Sequence, residues 1–287
     1  MSERGGEAVS VPGLLEMKRR GEKIGMLTAY DYPTARILDR AGTDALLVGD
    51  TLGMVVLGYD STVYVTLEDI IHHTRAVARG VERALVISDL PFGSYEEGPD
   101  QALRSAVRLV KEGGATAVKL EGGAEVAPSV EAIVRAGIPV VGHVGLTPQS
   151  SASFGGFRVQ AKTAQEAREL LRNARALEEA GAFMVVVEAV PAPVGDLLSR
   201  SLAVPVVGIG AGNGCDGQVL VSTDMLGIQD ELTPRYLKRY AALSGEVDRA
   251  IRAYLSEVRE GVFPGEEHAY GMDEGELEEL RRPEAGA

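Results

Sequence analysis

Short apolar runs alternate with amphipathic helical segments along almost the whole chain. Five of these runs end on a polar residue, namely Asp50, Asp89, Glu121, His143 and Glu188. Runs that are apolar at successive positions are typical of strands buried on both faces in a parallel sheet. The pattern therefore predicts a repeated strand–helix unit with a polar group at the end of each strand.

Eight such units, with no break in composition between them, favour an α/β fold in the form of a single (β/α)8 TIM barrel. A doubly wound open sheet is the alternative. The barrel is preferred because candidate functional residues end at least five successive strands, whereas an open sheet concentrates its site at one switch point. We expect a flexible N-terminus over residues 1–10, one barrel domain over 11–265, and an acidic tail over 266–287 that is disordered from 281.

Helical spacing predicts helices over residues 11–21, 33–41, 66–79, 101–112, 127–136, 164–179 and 234–260. Thr66 is the expected N-cap of the third helix, with Asp69 completing a capping box. Besides the five runs named above, strands are expected at 24–28, 204–209 and 218–221. Residues 145–162 form a loop too long for a plain connector, which is typical of functional loops.

The composition is that of an ordinary globular chain of 287 residues, 45% hydrophobic and 25% charged. No apolar run approaches the roughly 18–20 residues that a membrane span needs, so we expect no membrane partner. The N-terminal residues lack the apolar core of a signal peptide. Cys215 is the only cysteine, which excludes an intrachain disulfide and indicates a reducing compartment. These features predict a cytoplasmic protein.

The net charge of −13 argues against nucleic acid as a partner, because nucleic-acid binding requires a basic face. An anionic substrate would also be repelled by this mean charge. A local cation, either a metal ion or a buried lysine, would have to reverse the sign at the site.

The carboxyl ends of the strands meet at one rim of a barrel, where barrel enzymes keep their active sites. Asp50, Asp89 and Glu121 end consecutive strands and would lie side by side. Three anions that close raise one another's pKa unless a cation lies between them. Oxygen ligands suit Mg²⁺. Each carboxylate taken singly could instead be the N-cap of the next helix.

Lys119 precedes Glu121 by two residues and so shares its side of the strand. A buried lysine is costly unless paired, and the carboxylate of a substrate would pair it; a structural ion pair with a core acid is the alternative. Glu188 follows three valines, and such an apolar setting suits a general base working near neutral pH. His143 either positions the residues that bind the ligands, without binding a ligand itself, or is a core histidine whose hydrogen bonds are satisfied by its neighbours.

Two glycine-rich stretches fail as nucleotide-binding motifs. A dinucleotide fingerprint starting at Gly210 would need glycine where Cys215 stands. Gly53 and Gly58 have the spacing of a P-loop, but Tyr59 follows instead of lysine.

Several longer motifs, spread in order from about residue 12 to 265, resemble the ketopantoate hydroxymethyltransferase family, also called 3-methyl-2-oxobutanoate hydroxymethyltransferases. They include Val48-Gly49-Asp50-Thr51-Leu52-Gly53-Met54, Asp89-Leu90-Pro91-Phe92-Gly93, Lys119-Leu120-Glu121-Gly122-Gly123, His143-Val144-Gly145-Leu146-Thr147-Pro148-Gln149, Gly155-Gly156-Phe157 and Cys215-Asp216-Gly217-Gln218-Val219-Leu220.

The resemblance implies a barrel of the phosphoenolpyruvate/pyruvate superfamily, assembled as a homo-oligomer, usually a decamer. It implies transfer of a hydroxymethyl group from 5,10-methylenetetrahydrofolate to the small 2-oxo acid 3-methyl-2-oxobutanoate, through a Mg²⁺-stabilised enolate, giving 2-dehydropantoate (ketopantoate) for pantothenate and coenzyme A synthesis. The site residues it implies are Asp50, Asp89 and Glu121 for magnesium, Asp50, Thr51, Asp89 and Lys119 for the keto acid, and Glu188 as catalytic acid/base.

The chain departs from the family pattern at Thr51, where serine is usual, at Tyr64, where proline is usual, and at Ala161, where glycine is common. None of these changes removes a charged site residue. Two other functions remain open at this point. One is another Mg²⁺-dependent lyase of the same superfamily that forms an enolate from a 2-oxo acid, and the other is a non-catalytic binding barrel.

Overall fold

Eight parallel strands close into a barrel in the computed structural model, which describes residues 7–150, 156, 158–229 and 234–282. Each strand pairs with the next along the chain, and β8 pairs with β1. The strands are β1 (Ile24–Thr28), β2 (Ala45–Val48), β3 (Leu85–Asp89), β4 (Ala117–Glu121), β5 (Val140–Gly145), β6 (Met184–Glu188), β7 (Val206–Ile209) and β8 (Gly217–Leu220). The closed order confirms the predicted barrel and excludes the open sheet.

Helices precede β1, connect the strands from β1 to β7, and follow β8. They are α1 (Val11–Arg19), α2 (Tyr32–Arg40), α3 (Leu52–Val55), α4 (Leu67–Gly80), α5 (Pro99–Arg108), α6 (Ala127–Arg135), α7 (Ala164–Glu179), α8 (Ala192–Ser201), α9 (Ser222–Met225), α10 (Leu243–Glu260) and α11 (Glu274–Arg281).

Side-chain caps fix where several helices begin. The predicted capping box at α4 is confirmed, since Thr66 accepts from the backbone N–H of Asp69 and Asp69 accepts from the N–H of Thr66. Thr163 and Glu166 make the same reciprocal pair at α7. Both boxes set the point at which the chain leaves the rim of the barrel.

The interior of the barrel is packed at its lower end and polar at its upper end. An inner cluster of buried apolar side chains includes Ile24, Ile87 and Val207, and Leu14 and Met17 of α1 pack into the same cluster. The helix α1 therefore closes the end of the barrel at which the strands begin. A second, larger cluster fills the space between the strands and the helices. The remaining open end is the one where the strands finish.

Two expected helices differ from the structure. The helix predicted over residues 234–260 was wrong for its first part, because α10 begins only at Leu243. Before it, the backbone N–H of Tyr240 donates to the carbonyl of Met225, and Tyr236 packs against Gly210. These tertiary contacts outweigh the local helical spacing. The helix α5 runs from Pro99 to Arg108 and continues as one π-helical turn, rather than spanning 101–112 as a single α-helix.

The chain divides into two compact units at residues 240 and 241. The first contains the barrel. The second contains α10 and α11, joined by a short 3-10 turn. The predicted boundaries at residues 10 and 265 stay predictions. Arg281 was expected in a disordered tail but ends α11, and residues 283–287 lie outside the described residues. Within the described part, no helix combines the length and apolarity needed to cross a membrane.

Candidate active site

The pairing of neighbouring strands brings the predicted site residues together at the open end of the barrel. Asp89 is paired with Lys119 across β3 and β4, and Glu121 is paired with His143 across β4 and β5. All the residues predicted for the site line one cavity of about 50 Å³, together with Pro148 and several apolar side chains: Asp50, Thr51, Asp89, Lys119, Glu121, His143 and Glu188.

Asp50 and Asp89 form the most buried acidic pair of the site. The backbone N–H of Asp50 donates to Oδ2 of Asp89 over 3.0 Å, and both residues are 2% exposed. Burial raises the pKa of the Asp50 carboxyl well above its usual range, and the negative charges of Asp89 and Glu121 raise it further. Burial also raises the pKa of Asp89, in spite of its cationic neighbour Lys119. For both carboxyls, the effect of burial on the pKa thus outweighs that of the positive charge of Lys119.

Lys119 is buried beside these acids. Its Nζ lies 2.9 Å from Oδ1 of Asp89 and 3.3 Å from Nδ1 of His143. Burial alone would lower the pKa of Lys119, but the carboxylates of Asp89, Glu121 and Asp50 raise it above its ordinary value. The lysine is therefore a permanent cation at the base of the cavity, and it has further hydrogen-bond donors for an anionic ligand.

His143 connects two carboxylates on opposite sides of its ring. Nδ1 lies 3.4 Å from Oε1 of Glu121, and Nε2 lies 3.3 Å from Oε2 of Glu188. Burial and the charge of Lys119 lower the pKa of the imidazole, but the hydrogen bonds to Glu121 and Glu188 outweigh both and raise it to about 9. The imidazole therefore lies between two carboxylates and fixes the direction in which Glu188 points.

Gln149 and Tyr95 belong to the site although sequence reasoning did not select them. The Gln149 amide donates to Oδ2 of Asp50 over 2.8 Å and to the carbonyl of Leu90 over 3.0 Å. Its carbonyl accepts from the Tyr95 hydroxyl over 2.6 Å, and its backbone N–H donates to Glu121 over 3.0 Å. Gln149 lies in the family motif that begins at His143, so the motif could have indicated that Gln149 belongs to the site. Nothing in the motif indicated a contact with Asp50.

A magnesium ion in this cavity would have few direct protein ligands. Among the described residues, no group of three or more His, Cys, Asp or Glu side chains is arranged closely enough to hold a metal ion. Asp50 and Asp89 lie together, whereas Glu121 is held by His143 and Gln149. Mg²⁺ is commonly held through one or two carboxylates, with waters and substrate oxygens completing its shell. Two neighbouring buried carboxyls, with only Asp89 in direct contact with the Lys119 ammonium, fit such an ion.

Residues 8–266 match the sequence model of the ketopantoate hydroxymethyltransferase family. The chain belongs to this family. The predicted family and its enzyme class, a one-carbon transferase, are thereby confirmed.

Relatives from several bacteria match this hydroxymethyltransferase over most of their length. The 3-methyl-2-oxobutanoate hydroxymethyltransferase of Oleidesulfovibrio alaskensis is 57% identical over 265 residues, which is 92% of each chain. The enzyme of the same name from Enterococcus faecalis is 54% identical and covers 92% of this chain and 96% of its own.

Solved structures of more distant proteins share the barrel of this hydroxymethyltransferase. Phosphonopyruvate hydrolase in complex with oxalate and Mg²⁺ has a TM-score of 0.58 at 14% identity and covers 94% of this chain and 96% of its own. The 2,3-dimethylmalate lyase, a member of the PEP mutase/isocitrate lyase superfamily, has a TM-score of 0.55 at 18% identity, with coverage of 94% and 98%. At such identities the likeness concerns the fold alone, and it agrees with the closed eight-stranded barrel.

Two of the departures from the family pattern lie near the site. Thr51 lines the cavity directly, at the start of α3. Ala161 has a φ of 55°, a left-handed conformation that glycine adopts without strain. Of the motif Gly155-Gly156-Phe157, only Gly156 falls within the described residues.

Proposed function

We propose that this enzyme transfers a hydroxymethyl group from 5,10-methylenetetrahydrofolate to 3-methyl-2-oxobutanoate. The product would be 2-dehydropantoate (ketopantoate), an intermediate on the way to pantothenate and coenzyme A. The observation that carries the proposal is the contact of His143 with both Glu121 and Glu188, which joins an acidic cation site to a candidate base within one cavity. Membership of the family supports the same reaction.

The keto acid would lie in the cavity that the acids and Lys119 line together. Asp50, Asp89 and Glu121 are the proposed magnesium ligands, and Glu121, which is tied to His143 and Gln149, would act through a water molecule. When bound, Mg²⁺ supplies Lewis acidity, which draws electrons from the keto and carboxylate oxygens and makes the C3 proton more acidic. Lys119 and the Thr51 hydroxyl would bind the carboxylate of the keto acid, in a cavity whose mean charge is otherwise unfavourable to an anion.

Glu188 is the proposed base that removes the proton from C3. It lies at the rim with its side chain 13% exposed, so it can reach both the bound molecule and the solvent. His143 holds one of its carboxylate oxygens at 3.3 Å and leaves the other for the proton. A carboxylate held in one direction spends less free energy on reorientation during proton transfer. The enolate of the keto acid would then attack the one-carbon unit. The two C–N bonds of the methylene bridge would break to release tetrahydrofolate, and a water molecule would supply the oxygen of the new hydroxymethyl group.

The cavity favours this reaction over a lyase that acts on a diacid. A diacid needs a second cationic group for its second carboxylate. The described lining of the cavity contains Lys119 and His143 as basic residues and no arginine. His143 is already shared by Glu121 and Glu188, which leaves one cation for one substrate carboxylate.

The experiment is incubation of the magnesium-loaded enzyme with 3-methyl-2-oxobutanoate, with and without 5,10-methylenetetrahydrofolate, and detection of the product by mass spectrometry. We expect ketopantoate only when the folate donor is present. Cleavage of a 2-hydroxy or 2-oxo diacid without any donor, and no ketopantoate with it, would contradict the proposal and favour the lyase.

We further propose that the enzyme works in the cytoplasm as a homo-oligomer, and as a decamer by its family resemblance. The single cysteine supports the location, because disulfides are rare in reducing compartments. Light scattering of the purified enzyme measures the number of subunits directly.

A further inference from the structure

The folate donor needs a place of its own at the rim, and this inference rests on the proposed function. The cavity that holds the carboxylates has a volume of only about 50 Å³. A ligand of folate size needs roughly 300–1,000 Å³ of cleft. Two candidate places adjoin the keto-acid cavity: a second cavity of about 330 Å³ outside β4 and β5, and the segment of residues 234–240 next to β7.

The second cavity has the volume but the wrong charge. Its lining includes Glu125, Glu166 and Glu169, and no basic side chain is among its described lining residues. A folate carries one or more glutamate carboxylates at one end. In a chain of net charge −13, three more carboxylates in the cavity would repel that end. This cavity is therefore the weaker candidate.

The segment 234–240 has the opposite charge. It contains Arg235, Lys238 and Arg239 and no acidic residue. The positive charge of Arg239 works against the burial that raises the pKa of Asp224. Nζ of Lys238 lies 4.8 Å from the centre of the Tyr240 ring. The local field is thus positive on a strongly acidic chain, which would attract an anionic ligand to this part of the rim.

Tyr236 places this segment directly beside the keto-acid cavity. Its ring packs on Gly210, the residue that follows Ile209 at the end of β7, and Ile209 lines the cavity. Gly210 has a φ of +65°, and a Cβ built on it would lie 2.7 Å from Cδ1 of the ring. Glycine is required at position 210 because the backbone is left-handed there and because a side chain would collide with the Tyr236 ring. The ring thereby lies against the backbone while 39% of the residue stays exposed.

The Tyr236 hydroxyl also lies within electrostatic reach of the proposed base. Burial raises the pKa of this phenol, and the carboxylates of Glu188 and Asp224 raise it further. Glu188 is paired with Ile209 across β6 and β7, next to Gly210 on which the Tyr236 ring packs. A flat ligand stacked on this ring would therefore lie close to Glu188, where the C3 carbon of the keto acid has to meet the methylene group.

We propose that residues 234–240 bind the folate donor, with the Tyr236 ring stacking against its aromatic rings and with Arg235 and Lys238 binding its glutamate carboxylates. The stacking brings the methylene carbon to the Glu188 side of the cavity. The cations select a donor that carries glutamate.

The test compares variants in two half-reactions of the magnesium-loaded enzyme. The first is the exchange of the C3 proton of 3-methyl-2-oxobutanoate in D₂O, which needs no folate. The second is product formation with 5,10-methylenetetrahydrofolate or with 5,10-methylenetetrahydropteroate, which lacks the glutamate. The variants are Tyr236→Ala, Tyr236→Phe and the double variant Arg235→Ala/Lys238→Ala. Arg19→Ala/Arg135→Ala removes the same charge elsewhere, from side chains that are 72% and 79% exposed.

We expect Tyr236→Ala to raise the KM for both donors by about tenfold, since stacking on an aromatic ring contributes roughly 1–3 kcal/mol per ring, while exchange stays normal. Tyr236→Phe should restore the KM. Arg235→Ala/Lys238→Ala should raise the KM for the folate by roughly 3-fold to 20-fold, since each exposed charge pair contributes about 0.2–1 kcal/mol, and should leave the pteroate unaffected. Arg19→Ala/Arg135→Ala should change neither KM.

Unchanged donor KM in Tyr236→Ala and in Arg235→Ala/Lys238→Ala would overturn this inference. So would a Glu169→Gln variant that alone changes the donor KM, since that result would place the folate in the second cavity. If the wild-type enzyme exchanges the C3 proton and makes no ketopantoate with either donor, it is the proposed function that fails. The two failures are therefore distinguishable.

Discussion

The side-chain amide of Gln149 donates a 2.8 Å hydrogen bond to the carboxylate of Asp50, from which it is separated by 99 residues of chain. The same residue donates from its backbone to Glu121 over 3.0 Å and accepts from the Tyr95 hydroxyl over 2.6 Å. Gln149 therefore connects the ends of β2 and β4 through the loop that follows β5. Two of the three proposed magnesium ligands are held in place by one neutral side chain and its backbone.

Replacement of Gln149 by alanine should weaken the binding of the keto acid and magnesium. The buried Asp50 carboxylate would lose a charged hydrogen bond, which contributes roughly 1.5–3 kcal/mol. We expect the Kd for magnesium in the presence of the keto acid to rise by about tenfold or more, as measured by calorimetry. Tyr95→Phe keeps the Asp50 bond and removes only the hydroxyl that orients the amide, so its effect should be smaller. Equal, small effects of both variants would show that Gln149 does not position Asp50.

Lys119→Met should both destabilise the magnesium-free protein and abolish binding of the keto acid. Removing one partner of a buried ion pair typically costs about 3–5 kcal/mol, because the other charge is left unpaired. The pKa of Asp89 and that of Asp50 are raised in the folded state, so these carboxyls take up protons as the pH falls. The loss of unfolding free energy should therefore be smaller at pH 5 than at pH 8.

The matched control for Lys119 is Lys18→Met. Lys18 is also largely buried, with its side chain 12% exposed, and its Nζ lies 2.7 Å from Asp216. Its loss should lower stability and leave the binding of the keto acid intact. If Lys119→Met bound the keto acid normally, the lysine would be a structural ion-pair partner only, which is the alternative that the sequence left open.

The order of the eight strands could be predicted from the sequence because apolar runs alternate with helical segments and five of the runs end on a polar residue. The helix α7 was predicted to the residue, since it has a capping box at Thr163 and strong helical spacing. The helix α8 was not predicted between Glu188 and the seventh strand, because its ten residues include proline, glycine and three serines or aspartates that resemble a loop. The segment 234–242 was assigned to a helix because local spacing cannot reveal its packing against Gly210.

The site was predictable where strand geometry alone decides which side chains meet. Asp89 and Lys119, or Glu121 and His143, are neighbours in register, so a barrel brings them together without further information. Gln149 was not predictable in the same way, because a loop residue can point in many directions. That His143 contacts Glu121 and Glu188 at once depends on its rotamer, which the sequence does not determine.

The His143 imidazole of the magnesium-free protein should titrate near pH 9, because its hydrogen bonds to Glu121 and Glu188 favour the charged form. The folded-state pKa lies above the ordinary value of 6.5, so the stabilisation from protonation is fully present below pH 6.5. It is lost as the pH rises through 9. We expect the Tm to fall over this interval in the wild type and much less in His143→Gln. NMR of the ring gives the pKa directly, and a value at or below 6.5 would contradict the predicted pairing.

Gly145→Ala should disturb the proposed base. Gly145 has a φ of +96°, and a Cβ built on it would lie 2.3 Å from the carbonyl oxygen of Glu188. The left-handed conformation costs roughly 1–2 kcal/mol, and the close contact adds about 1–3 kcal/mol. Since the end of β6 must shift, we expect kcat to fall by about 10-fold to 100-fold.

Gly137→Ala is the control for backbone strain. Gly137 has a φ of +87°, and a Cβ at this position meets nothing within 4 Å. The Gly137→Ala variant should lose only the unfolding free energy that corresponds to the left-handed conformation, and its kcat should stay unchanged. A Gly145→Ala variant with the same small loss of stability and normal turnover would show that the Glu188 backbone is not held in place by this contact.

The measurement that tests the account most directly is exchange of the C3 proton of 3-methyl-2-oxobutanoate in D₂O, followed by NMR in the wild type and in Glu188→Gln. We predict magnesium-dependent exchange in the wild type without any folate. A positioned general base contributes about 10²–10⁴-fold, so exchange in Glu188→Gln should be slower by that factor while its Kd for the keto acid stays near normal. Exchange at the wild-type rate in Glu188→Gln, or exchange that proceeds equally after removal of magnesium, would contradict the account.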